Sequence, residues 1–195
     1  MPARFGSLPA SAAWRLRDAL EGFEVVFPES TGDGYRLDGS TTAVEDGQPW
    51  TVRYEIVLDE AWRTRTAHVW GRSPRGEHEV RLDVDGEGHW RVDDVAAPHL
   101  DGCRDVDIES LACTNTLPVH RLALGVGQEA DAPAAYVRWL DLRVERLEQH
   151  YVRVDDAGTR QRFHYTAPVF HYDDHLVYDG SGLVLDYPGI GTRVL

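Results

Sequence analysis

The sequence predicts a mainly β protein: a long-stranded, antiparallel up-and-down sheet curled into a half-barrel or open barrel, with few short helices. Three observations predict it. Turn signals recur roughly every thirteen residues in the first half, at Asp33-Gly34, Asp46-Gly47, Asp59-Glu60, Pro74-Arg75-Gly76 and Asp85-Gly86. Between them apolar residues recur with the period of two that marks a half-buried strand. No run sustains helical periodicity. Strands of about nine or ten residues follow from this spacing, longer than usual, and some ten such strands cannot stay flat but must curl or close.

Each element has its own pattern. Residues 10–20 fit a helix or a first strand with Trp14 and Leu16 inward. Trp50, Val52, Tyr54, Ile56 and Leu58 share the buried face of one strand, against Thr51, Arg53, Glu55 and Asp59 on the wet face. Residues 62–70 alternate less cleanly, with Trp62, Thr64, Thr66, His68 and Trp70 on one side and Arg63, Arg65, Ala67 and Val69 on the other. Val80, Leu82 and Val84 restore the simple pattern, and Gly86-Glu87-Gly88 turns the chain into Trp90 and Val92. After an irregular stretch over 95–116, strands are expected at 117–124, 136–144, 147–154, 160–165, 169–178 and 182–187, with an exposed loop over 125–135. No repeat, low-complexity tract or linker divides residues 1–195, which read as a single domain.

The chain carries a formal net charge of -13. Phosphate backbones need clustered positive charge, so nucleic acid is not an expected partner, nor is an anionic membrane surface. All 20 basic residues are arginine. That removes Schiff-base chemistry and a phosphate-loop lysine. No signal-peptide core precedes the early charges and no segment reaches membrane-spanning length, so a cytoplasmic protein without membrane insertion is expected. Cys103 and Cys113 are then free thiols.

The chemistry concentrates at residues 102–124, GCRDVDIESLACTNTLPVHRLAL. If 117–124 is a strand, only one of His120 and Arg121 faces inward; a buried Arg121 would need Asp105 or Asp107 as a bidentate partner. Asp105 and Asp107 could chelate a hard cation, and His99, Cys103, Cys113 and His120 could in principle hold zinc. Neither spacing presets a site, and no metal or cofactor is expected. The serines sit in turns rather than at a strand-to-helix elbow, which gives nucleophilic catalysis little support.

Several stretches resemble the bacterial Putative glycolipid-binding family: Gly102-Cys103-Arg104-Asp105-Val106-Asp107-Ile108, then Thr114-Asn115-Thr116-Leu117-Pro118 with Arg121-Leu122. Tyr54-Glu55-Ile56-Val57-Leu58-Asp59, Trp62-Arg63-Thr64-Arg65, Gly88-His89-Trp90, Gln149-His150-Tyr151 and the closing Gly182-Leu183-Val184-Leu185-Asp186-Tyr187-Pro188-Gly189 agree in collinear order. The chain departs from the pattern at Leu111-Ala112-Cys113 and at Val119-His120. The resemblance implies one curved antiparallel sheet, similar to the half-barrels of bacterial lipoprotein carriers, and a glycolipid-like ligand.

The resulting expectation is a non-catalytic protein that binds a glycolipid or similar amphiphile in a concave, aromatic-lined sheet. Tyr54, Trp62, Trp90, Tyr136 and Tyr151 would grip its apolar parts, and Asp105, Asp107, Asn115 and Arg121 would read its polar head. The alternative is a hydrolase acting on a small lipid or sugar conjugate, with Asp105 and His120 as an acid/base pair.

Overall fold

The computed structural model describes residues 5–18 and 20–195. The chain opens with β1 (Ala12–Leu16), β2 (Leu20–Thr31), β3 (Gly34–Glu45), β4 (Gln48–Asp59), β5 (Thr64–Ser73) and β6 (Gly76–Val84), tapering into β7 (Trp90–Val92) and β8 (Val95–Ala96). Neighbours in this run pair antiparallel, as the turn spacing predicts. Residues 10–20 thus take the strand option, with Trp14 and Leu16 buried; Ala19 of that candidate lies outside the described residues. β2, β3 and β4 reach 12 residues each, longer than the turn spacing suggested. The β3–β4 turn has Asp46 at φ 50° and Gly47 at φ 74°, the doubly left-handed turn whose twist matches a two-residue hairpin.

The weaker alternation at 62–70 has a cause. The β4–β5 register slips between Val57 and Leu58, so Val57 faces Thr66 while Leu58 faces Thr64. This bulge at Arg65 changes the phase: Thr64, Ala67 and Val69 point inward, and Thr66, His68 and Trp70 outward.

The chain then leaves the sheet. β9 (Asp105–Ile108), a 3-10 turn at Cys113–Asn115, and α1 (Thr116–Leu122) come next, followed by β10 (Glu129–Asp131), β11 (Ala134–Val137) and β12 (Val144–Leu147). The expected strand at 117–124 is therefore a helix, closed by Ala123 in the left-handed conformation with its N–H on Val119 O. Pro118 lies in the first turn, where a missing N–H costs nothing, so TNTLP starts a helix rather than breaking one. The expected strand at 136–144 splits into two, turning at Leu142 with φ 54°. Finally β13 (His150–Ala157), β14 (Arg160–Ala167), β15 (Tyr172–Tyr178), β16 (Val184–Tyr187) and β17 (Gly191–Arg193) return to the sheet.

β17 pairs with β1, joining both runs into one 14-stranded sheet in the order β10-β13-β14-β15-β16-β17-β1-β2-β3-β4-β5-β6-β7-β8. Its ends, β10 and β8, do not meet, so the sheet is a half-barrel. Its concave face is not empty. β12, β11 and β9 form a second, three-stranded sheet in which β9 and β11 run parallel. Every residue of β9 and β11 is buried. This insert bonds to strands on both arms of the half-barrel. Trp90 Nε1 donates to Cys103 O at 3.2 Å, Val106 N to Thr64 Oγ1 at 3.0 Å, and Tyr178 OH to Asn115 O at 3.1 Å.

Candidate functional site

The insert is fixed by buried acids. On β2 the inward positions run Leu20, Glu24, Val26, and Glu24 is fully buried. Its carboxylate accepts the N–H of Ala112 at 2.7 Å and of Cys113 at 3.3 Å, plus the hydroxyl of Tyr54 at 2.9 Å. Tyr54, on β4, reaches β2 by laying its ring across Gly39 of β3, where a Cβ would overlap the ring. Burial pushes the Glu24 carboxyl up to about 7, partly offset by the N–H of Ala112 and the Tyr54 hydroxyl.

Asp105 and Arg121 do pair. Arg121 Nε donates to Asp105 Oδ1 at 2.9 Å and its NH2 to Oδ2 at 2.5 Å, tying α1 to β9. Burial raises the Asp105 carboxyl, and the guanidinium offsets part of that rise. On a helix His120 and Arg121 both find inward neighbours, which the strand reading ruled out. The His120 ring stacks on Trp62 at 3.7 Å, with Phe5 at 4.3 Å, and burial pushes the imidazole down to about 4. Among the described residues His120 Nε2 is buried without a hydrogen-bond partner, and a Cβ on Gly182 would collide with it. The Asp105–His120 acid/base pair is not assembled, because Arg121 occupies both Asp105 oxygens and His120 faces aromatic rings. The hydrolase alternative loses its geometry.

The expected ligand-reading residues separate into two groups. Tyr54, Trp90 and Tyr151 are fully buried with their polar atoms bonded to Glu24, Cys103 O and Asn115 Oδ1 respectively. Trp62, at φ 62°, is wedged between Tyr35 and His120. Asp107, Asn115 and Tyr136 instead come together in a cleft of about 190 Å³ at one rim of the half-barrel. Glu45 at the end of β3, Glu109 and Ser110 after β9, Phe170, and the tyrosines Tyr165, Tyr172 and Tyr187 complete its polar and aromatic wall.

Tyr165, Tyr172 and Tyr187 pack against one another with centroids 5.4 to 6.0 Å apart. Asp107 forms the floor, 7 % exposed, accepting from Thr114 Oγ1 and from Gln149 Nε2, both at 2.6 Å. Gln149 also donates to Tyr165 OH at 3.0 Å. Burial pushes the Asp107 carboxyl up to about 6, and does the same to Glu109. Glu109 has a counter-charge, Arg138 NH2 at 3.0 Å, and that guanidinium also lies over the rings of Tyr136 and Phe170.

The other side of the same lip is apolar. An open groove of about 750 Å³ runs past Val44, Pro49, Trp50 and Pro74. Val44 adjoins Glu45, so the β3–β4 hairpin separates cleft from groove, and Trp50 stacks on Trp139 at 5.3 Å. Glu24, Glu45, Gln149 and the second tyrosine set were not singled out from the sequence. Glu24 did carry a signal, a carboxylate at an inward phase of β2.

A curved antiparallel sheet that stays open and carries an insert on its concave face defines a half-barrel. The chain belongs to the Putative glycolipid-binding family, which it matches over residues 11–193. It is similar to the crystal structure of a DUF1089 family protein from Pseudomonas aeruginosa, with 31% identity, a TM-score of 0.79, and 93% of this chain and 95% of that one covered. A beta-barrel-like protein of DUF1849 from Brucella abortus shares the fold at 12% identity and a TM-score of 0.54, covering 98% of both chains. No curated protein matches. Among the described residues no helix is long and apolar enough to cross a membrane.

Proposed function

We propose that this protein binds an amphiphilic small molecule without transforming it, the polar head in the tyrosine cleft and the apolar part along the groove outside the β3–β4 lip. One observation carries this reading: a polar, aromatic cleft and an apolar groove adjoin across a single hairpin. At about 190 Å³ the cleft is below the usual range for whole small-molecule ligands and suits a head group alone. The family's description, and the resemblance to lipoprotein-carrier half-barrels, point to the same class of ligand. In this reading Asp107, Asn115 and Tyr136 touch the head, whereas Asp105, Arg121, Tyr54, Trp90 and Tyr151 hold the insert in place, and residues 1–195 act as one domain.

The test is native mass spectrometry after incubation with a total bacterial lipid extract. A stoichiometric adduct that weakens in Tyr136→Ala is expected. If no adduct forms, or if it is indifferent to Tyr136→Ala and to Val44→Arg in the groove, the reading fails.

A further inference from the structure

Charge at the cleft narrows the ligand class, an inference that rests on the reading just given. Three carboxylates line the cleft, Glu45, Asp107 and Glu109, and among the described lining residues none is basic. Arg138 answers Glu109 from outside. Glu45 accepts from the Ser110 hydroxyl at 3.2 Å, and Asp107 accepts from Thr114 and Gln149; neither has an ion pair among the described residues.

A buried carboxylate without a counter-charge is costly in its charged form, and an incoming cation relieves that cost as hydrogen bonds or a proton also do. Asp107 is more than nine-tenths buried and faces a cavity, so the counter-charge has room to come from a ligand. The walls suit that charge. Tyr136, Tyr165, Tyr172, Tyr187 and Phe170 surround the space, and Arg138 already takes up a cation–π position over two of these rings, 5.8 Å from Tyr136 and 6.0 Å from Phe170. Aromatic walls with nearby carboxylates favour organic ammonium groups. The same charges repel phosphate, sulfate and carboxylate heads.

We infer that the cleft selects an amphiphile with a cationic, ammonium-bearing head group, held between the tyrosine rings and the Asp107 and Glu45 carboxylates. A quaternary ammonium meets this chemistry without any hydrogen bond. An amino-substituted sugar would add bonds to the tyrosine hydroxyls.

The probes are n-octyltrimethylammonium and n-octyl glucoside, which share a chain and differ in the head, both below micelle concentrations. Binding is followed by the fluorescence of the Trp50–Trp139 pair at pH 8 and physiological salt. The cation should bind about tenfold tighter than the sugar, the scale of a desolvated cation–π contact. Asp107→Asn should remove most of that preference, weakening the ammonium probe several-fold more than the glucoside. If Asp107→Asn fails to fold, Glu45→Gln, at the half-buried rim, should reduce the preference in the same direction. Generic attraction to an acidic surface would survive both substitutions and overturn the inference. Equal or tighter glucoside binding would also overturn it while leaving the amphiphile reading intact. If neither probe saturates, the amphiphile reading itself falls.

Discussion

Replacing Glu24 by glutamine separates the cost of a buried charge from the hydrogen bonds it makes. The carboxyl rises from an ordinary 4.5 to about 7 because burial disfavours its charged form. Between these two values the native state holds a proton that the unfolded chain has released. Stability therefore increases as pH falls through the folded value and is lost as pH rises through it, the reverse of an ion-paired carboxylate. Linkage gives about 2 kcal/mol between pH 8 and pH 5.5 for this group alone, and about 3 kcal/mol once pH is below both values. Asp107 and Glu109, raised to about 6, slope the same way over a lower range. The reading is accordingly a difference of differences.

Urea melts of the native protein and of Glu24→Gln, each at pH 5.5 and pH 8, provide it. Glutamine cannot accept through its amide nitrogen the N–H bonds now given by Ala112 and Cys113. The variant should thus lose about 1 to 2 kcal/mol at the acid end. Its own change between the two pH values should be smaller than the native protein's by about 2 kcal/mol, a midpoint difference of just under about 1 M urea. If the variant keeps the full native pH dependence, Glu24 is not an acid whose charge burial disfavours, and its place under residues 112–113 is misread.

Three further expectations follow from contacts in the insert and in the sheet beneath it. Gly39→Ala should lower stability by about 1 to 3 kcal/mol, because its methyl occupies the place of the Tyr54 ring and breaks the bond to Glu24; thermal melting checks this, and an unchanged midpoint would refute the close approach. Arg121→Ala should cost about 3 to 5 kcal/mol by leaving Asp105 buried without its partner, and pairing it with Asp105→Leu should recover a large part of that loss. Burial pushes the Cys103 thiol up to about 11 and the Cys113 thiol above that, so a thiol reagent should label neither in the native protein at pH 8 and both in urea.

Much of the sheet was legible because period-two alternation and turn residues are local facts. Trp50 to Leu58 bury alternate side chains as the pattern demands, and Asp46-Gly47 turns where it must. The exceptions are equally physical. A one-residue bulge at Arg65 inverted the phase of β5, an event whose cause lies in the pairing with β4 rather than in β5 itself. The helix at Thr116–Leu122 resembles a strand in sequence because Leu117, Val119 and Leu122 are apolar in a run too short to show which period they obey. Pro118 at a helix start, three residues after Asn115, was the local signal that favoured a helix.

The candidate site was legible only where one short segment supplied it. Asp107, Asn115 and Tyr136 reach the cleft from β9, the 3-10 turn and β11, all parts of the insert. Its other wall is built by β14, β15, β16 and their turns, well downstream of that segment, from tyrosines whose alternation reads as ordinary sheet. Inward aromatics look alike in a hollow cup and a packed one, and the insert decides which they are. It takes Tyr151 and Tyr178 for its own hydrogen bonds and leaves Tyr136, Tyr165, Tyr172 and Tyr187 beside an acid with no cationic partner among the described residues. The buried acids divide by the same logic: Asp105 is satisfied by Arg121 and Glu24 by backbone N–H groups, so both close the cup. Asp107 has no counter-charge among the described residues and faces the cleft. Under the proposed reading, specificity would rest on the few groups that the insert does not satisfy, rather than on the long strands that dominate the sequence.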